Sequence, residues 1–255
     1  MTCNHKHAVV TGGANGIGRC IAETFLREGA SVTIIDLDQQ GGETLANRHD
    51  NLHFFHGDIA EKAVLEQFVA FLGGAVDCLV HNAYRSHGGI LSGCSYEAFE
   101  AAQRVCVTAP YYLTSLLVQK NLLAPGASIV NIASTRAAQS QPDTESYTAA
   151  KGGIAALTHG LAISLAGRAR VNCISPGWID TTAYHTDAAV AEQSTQDNSQ
   201  HPAGRVGKCE DIAEMVLYLC REEAGFITGE TITIDGGMSR QMIYHDDHGW
   251  KFGGC

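Results

Sequence analysis

Apolar residues come along this chain in short unbroken runs, each closed by polar residues or glycine and followed by a stretch with helical spacing. The first run, 6–11 (Lys-His-Ala-Val-Val-Thr), predicts a short strand buried on both faces, because a half-exposed strand would alternate. The period then changes: Ile21, Phe25 and Leu26 fall on one face of a helix. The unit repeats. Residues 31–35 predict a second strand ending at Asp36, 42–48 a short helix, 52–56 a third strand, 61–72 a helix and 77–82 a fourth strand. Further on, 128–133 is strand-like and 147–165 helix-like. Strands alternating with helices give a parallel sheet covered on both faces, with ligands at the C-terminal ends of its strands.

The first strand runs into Thr11-Gly-Gly-Ala-Asn-Gly-Ile-Gly18 before the first helix. Gly12, Gly16 and Gly18 let the backbone turn sharply and approach a pyrophosphate, which the helix N-terminus attracts through its free N–H groups. The second strand ends at Asp36, an acidic side chain placed to accept hydrogen bonds from ribose hydroxyls and to repel a 2′-phosphate. Asn15 and Leu37 supply no cation for such a phosphate. The reading is NAD over NADP; its rival is a turn or capping aspartate. Asp58, after the third strand, contacts an adenine amino group or caps the next helix, and both remain open. The predicted fold class is therefore α/β: a single-domain, Rossmann-type, doubly wound parallel sheet of about seven strands with helices on both faces.

Composition narrows this. The chain has 255 residues, 28 Gly and only 5 Pro, with no linker or repeat, so one domain over 1–255 is expected. Formal net charge is −10 with no basic cluster, which argues against nucleic acid. No apolar run approaches the ~18 residues of a membrane span, and the N-terminus lacks a signal-peptide core. Nine scattered Cys with no Cys-x-x-Cys suggest thiols in a reducing cytoplasm.

Chemistry enters at 134–151. Tyr147 and Lys151 are four apart and share a helix face, and Ser134 closes the preceding strand. A phenol titrates near ~10, and a neighbouring ammonium lowers that value. The three make a general acid/base unit for an alcohol–carbonyl pair; alone, Tyr and Lys at this spacing also suit a solvated helix face.

Taken in order, these motifs resemble the short-chain dehydrogenase/reductase family, in its compact single-domain branch. The matches are Thr11-Gly-x-x-x-Gly-x-Gly18, Asp36, Asp58, Asn82-Ala83, Asn131-Ile-Ala-Ser134, Tyr147-x-x-x-Lys151, Pro176-Gly-Trp-Ile-Asp-Thr181 and Gly225-Phe-Ile-Thr-Gly-Glu-Thr-Ile-Thr-Ile-Asp-Gly-Gly237. The resemblance implies Tyr147 as general acid/base, Lys151 lowering its pKa and holding the nicotinamide ribose, and Ser134 orienting substrate. It implies cofactor contacts at Gly12, Asn15, Gly16, Ile17, Gly18, Asp36, Asp58, Ile59, Asn82, Ala83, Pro176, Gly177, Ile179 and Thr181, with Asn131 bracing the strands. It also implies a homo-oligomer, a tetramer or a dimer, built on helices around 95–120 and 147–165 and on 208–238. Two positions depart from the family. His81-Asn82-Ala83-Tyr84 stands for Asn-Asn-Ala-Gly, so the Tyr84 ring must point away or pack beside the ribose. Cys106 stands where the family carries an Asn that helps hold a proton-relay water; either a backbone carbonyl keeps that water or relay is slower.

Three segments are expected to line the substrate pocket: 85–89, 135–146 and 182–205. The last is polar (Tyr184, His185, Asp187, Glu192, Gln193, Gln196, Asp197, Asn198) and, with Arg136, Gln139 and Gln141, favours a sugar, polyol or hydroxy acid. Arg85 and His87 are candidates for a substrate carboxylate or plain loop cations. A C-terminal extension, 240–255, carries Met242, Ile243, Tyr244, Trp250 and Phe252, expected to pack on a neighbouring subunit. Its His245, Asp246, Asp247 and His248 match no defined metal spacing, and no metal is expected. The leading function is an NAD-dependent alcohol dehydrogenase or ketone reductase; the alternatives are a dehydratase or epimerase with bound NAD, and a non-catalytic NAD sensor.

Overall fold

The computed structural model describes residues 3–185 and 192–242. In chain order the main elements are β1 (His7–Thr11), α1 (Gly16–Arg27), β2 (Ser31–Asp36), α2 (Gln39–Ala46), β3 (Leu52–His56), α3 (Lys62–Phe71) and β4 (Val76–His81). There follow α4 (Tyr96–Gln103), α5 (Ala109–Gln119), β5 (Leu123–Ile132), α6 (Glu145–Ser164), β6 (Ala169–Pro176), α7 (Cys209–Leu219) and β7 (Thr231–Ile234). The seven strands form one all-parallel sheet in the order 3-2-1-4-5-6-7. This is the Rossmann-type α/β fold that the alternation of runs predicts. A two-stranded ribbon joins Ile179–Asp180 to Gly207–Lys208.

The unbroken apolar runs follow from burial on both faces. On one face Phe25, Ile34, Ile174 and Val216 belong to a core under α1 and α7. On the other, Phe68, Leu79, Leu113, Ile129 and Val171 pack under α3, α5 and α6. Removing a core leucine or isoleucine of this kind typically costs about 2–5 kcal/mol. Parallel pairing brings the C-terminal ends of the strands to one edge. Strand order reverses between β1 and β4, so the crevice between their C-terminal ends is the natural ligand site.

The helix expected around 95–120 is interrupted. Residues Arg104–Thr108 form a π-helical turn, in which the Ala109 N–H reaches back to the Arg104 carbonyl. Pro110 has no N–H to give to the Cys106 carbonyl four residues earlier, which favours widening at this point. Among the described residues no helix is long and apolar enough to cross a membrane. Most of the expected C-terminal extension, including Ile243, Tyr244, Trp250, Phe252 and the His245–His248 cluster, lies outside the described residues, as does Asp187.

Candidate active site

A cavity of about 460 Å3 opens at the strand-order reversal. The expected catalytic and cofactor-contact residues line it, except Gly18, whereas of the three expected substrate segments only Arg85 and His185 do. The glycine loop forms one wall. Gly12 and Gly16 have φ of +66° and +55°, a region that glycine enters without the strain of a Cβ. A Cβ on Gly12 would also meet the Ala83 Cα at 2.8 Å. Gly18 is set back: a Cβ there would collide with the Gly12 carbonyl and the Asn82 amide. It permits close packing of α1 on the loop rather than direct approach to a ligand. Asn15 is the N-cap of α1 yet makes no side-chain cap bond; its amide donates instead to Asp38 Oδ2 at 2.7 Å. The first-turn N–H groups of α1 are thus left without a side-chain cap, which suits an anion.

Asp36 is held firmly at the end of β2. Its Oδ2 accepts from the Ala14 N–H and its Oδ1 from the Asp38 N–H, both at 2.9 Å. Asp38, whose N–H makes the second of these bonds, does not itself line the cavity. It caps α2 through Gly41 at 2.9 Å, and that bond leads in holding its carboxyl below the usual carboxylate range. Asp58 is not the cap of α3, a position held by Glu61. Its Oδ1 accepts from the Ala60 N–H at 2.8 Å, and its Oδ2 pairs with the Arg85 guanidinium at 3.0 Å. Arg85 is therefore paired with Asp58 inside the cavity rather than free in a loop. Asn82 donates from Nδ2 to the Gly12 carbonyl at 2.9 Å, so it also braces the glycine loop.

The opposite wall carries the proton-transfer candidates. Ser134 follows β5, nearly buried, and its Oγ accepts from the Arg136 N–H at 3.2 Å. That geometry leaves the hydroxyl hydrogen to donate elsewhere. Tyr147 and Lys151 project from one face of α6 into the same cavity. Burial pushes the Tyr147 phenol up, and the Ser134 hydroxyl pulls it back. Burial likewise pushes the Lys151 ammonium down. Lys151 Nζ donates to the Ile132 carbonyl at 2.8 Å and lies 5.6 Å from the Tyr147 ring centroid. The ammonium thus faces the ring, and the groups that pull the phenol pKa down here are Ser134 and then Arg136. Tyr84 points into the cavity, its ring edge-to-face with Tyr147 at 6.0 Å. Cys106 is buried in the π-helical turn, with Sγ 3.7 Å from the Arg85 carbonyl. Asn131 braces β5 to α6 by donating to Thr158 Oγ1 at 2.9 Å.

The expected substrate segments partly meet. Asp143, at φ +63°, accepts from the N–H groups of Gly89, Leu91 and Ser92 at 2.9–3.0 Å. Ser146 is buried and bonded to His87 through both backbone groups. Residues 85–92 are so pinned to the segment preceding Tyr147. Arg136 is tied to Gln141, and Gln193 to Asp180. His185 also lines the cavity and pairs with Thr181 Oγ1 at 3.2 Å, a contact with no signal in the sequence beyond proximity. Among the described residues no group of His, Cys, Asp or Glu side chains could hold a metal ion.

Known proteins place this geometry. Residues 12–239 match a family model described as enoyl-(acyl carrier protein) reductase. An uncharacterized oxidoreductase of Thermotoga maritima is 42% identical over 253 residues, 94% of this chain and 98% of that protein. The solved structure of an apo SCOR enzyme from Clostridium thermocellum superposes with a TM-score of 0.88 at 46% identity, covering 98% of this chain and 99% of that one. The structure of a short-chain dehydrogenase/reductase from Brucella melitensis, described as glucose/ribitol dehydrogenase, superposes with a TM-score of 0.82 at 29% identity, covering 93% and 98%.

Proposed function

We propose that this chain, which belongs to the short-chain dehydrogenase/reductase family and is an oxidoreductase, uses NAD to interconvert a secondary alcohol and a ketone on a small polar substrate. The observation that carries the reading is the convergence of Ser134, Tyr147 and Lys151 on one wall of a cavity whose other wall is the glycine loop. The cradle suits a dinucleotide, since α1 offers uncapped N–H groups and the nearest described atoms to a Cβ on Gly16, from Thr181 and His185, are no closer than 3.6 Å.

In this reading Gly12, Asn15, Gly16 and Ile17 hold the pyrophosphate, with Gly18 supporting the turn. Asp36 takes the adenosine ribose, Asp58 and Ile59 the adenine, and Asn82 and Ala83 the adenosine side. Lys151 takes the nicotinamide ribose; Pro176, Gly177, Ile179 and Thr181 take the carboxamide end. Bound nicotinamide supplies or accepts the hydride. Tyr147 gives or takes the proton at the substrate oxygen, and Ser134 orients that oxygen and pulls the phenol's titration down, followed by Arg136.

Preference for NAD is supported by the carboxylate at the end of β2. Asp36 lines the cavity and would meet a 2′-phosphate, and Arg85 is already paired with Asp58. The small polar substrate is supported by the composition of 192–205 and by the name of the Brucella structure. The family model's description favours a second reading, an acyl group borne on a carrier protein. Steady-state assays with polyols, sugars, hydroxy acids and acyl thioesters separate the two: turnover confined to acyl thioesters refutes the first.

A cytoplasmic homo-oligomer completes the proposal. Tyr96, Tyr111 and Ile163 are 78%, 53% and 80% exposed on α4, α5 and α6, where a tetramer or dimer would cover them. Light scattering of Tyr111→Glu/Ile163→Asp against the parent should show a smaller particle; an unchanged mass removes these helices as the interface.

A further inference from the structure

Tyr84 stands out because its ring enters the site at a position where the resembling family carries glycine. It is 65% exposed, so it is not there to fill the core. Its face lies toward the buried Lys151 ammonium, with Nζ 5.5 Å from the ring centroid. Nζ is also 5.6 Å from the centroid of Tyr147. The two rings meet edge to face at 77°. A cation within about 6 Å of an aromatic face is attracted by the ring quadrupole, more strongly where water is excluded.

We propose that Tyr84 is a positioning residue: with Tyr147 it forms a two-ring cage that holds the Lys151 ammonium in place in the cleft. The cage answers a specific need. Lys151 is buried, and the partner the structure gives its three N–H bonds is the Ile132 carbonyl. Among the described residues, the titratable groups acting on the ammonium are Cys106 from the π-helical turn and Cys173 from β6, beside the ring of Tyr147 on the same helix. Neither thiol brings a carboxylate's charge. Two ring faces therefore supply the compensation that an ion pair would supply elsewhere. This rests on the reading of Lys151 as a working residue of the site, and it assigns a role to a side chain that glycine in the same place could not fill.

The chemistry fixes the direction of the effect. An aromatic face favours the charged form of the amine, whereas burial disfavours it. Removing the Tyr84 ring must move the Lys151 titration further down. The chain has six lysines, so Lys151 can be assigned in 13Cε-lysine NMR by its loss in Lys151→Arg. Tyr84→Leu keeps bulk without a quadrupole and should lower the Lys151 titration by roughly half a unit to one unit. Tyr84→Phe keeps the ring and should leave it within a few tenths. The alkaline limb of the kcat/KM profile should move the same way in Tyr84→Leu. An unmoved Lys151 titration in Tyr84→Leu overturns the cage, as does an equal shift in Tyr84→Phe, which would make the hydroxyl the active part. The NMR titration needs no substrate. If no alcohol is turned over, the proposed function fails while the cage is still decided.

Discussion

His81 gives the sharpest thermodynamic prediction. It ends β4, directly beside Thr11 on β1 and Asn131 on β5. Its Nε2 pairs with Thr114 Oγ1 at 3.1 Å, and its Nδ1 is buried with no partner. The imidazolium form would need acceptors for both nitrogens, so burial pushes the pKa down to about 3. In the unfolded chain the same group titrates near ~6.5. Below that pH the unfolded state binds a proton that the native state refuses. The contribution of neutral His81 is therefore fully present above ~6.5 and is lost as pH falls toward 3. The slope is about 1.4 kcal/mol per pH unit, or roughly 2 kcal/mol between pH 7.5 and 5. Urea unfolding of the parent and of His81→Asn across that range isolates the effect, since the carboxylates titrate alike in both. The parent should lose about 2 kcal/mol more than the variant. Parallel stability curves for the two proteins would refute the reasoning.

Asp36→Ala should weaken NAD by roughly ten- to a hundredfold, the range for losing charged hydrogen bonds, and should raise the relative kcat/KM with NADP; an unchanged cofactor ratio contradicts the ribose assignment. Gly18→Ala places a methyl group against the Gly12 carbonyl and the Asn82 amide. It should cost about 1–3 kcal/mol, visible as a melting point lower by roughly 3–10 °C. An unshifted melt would show that the loop can yield there.

Much of the fold was legible because parallel strands carry their own signature. Runs such as Val9-Val10 and Ile34-Ile35 are continuous only when both sheet faces are covered. Glycine spacing located the loop, and the Tyr147–Lys151 spacing located the opposite wall, because both are local backbone relations. What was not legible is what depends on side chains meeting across the crevice. Arg85 and Asp58 are 27 residues apart, and no pattern in either segment announces their pairing. Asp38 and Asn15 are 23 residues apart, and only the fold brings them together. Tyr84 was ambiguous because its ring direction is set by α6 and Lys151, not by its neighbours in the chain. The break at Arg104–Thr108 was hidden in a run of helix-compatible residues, although Pro110 marks it in retrospect.

The proposed reaction depends most directly on proton transfer at Tyr147. NADH appearance at 340 nm, with excess NAD and the polyol, sugar and hydroxy-acid panel, compares the parent with Tyr147→Phe. The parent should show a substrate-dependent rise, and the variant should lose roughly 10²- to 10⁴-fold in turnover while still binding NAD. Turnover surviving in Tyr147→Phe would rule out Tyr147 as the proton-transfer residue, whatever substrate supports it.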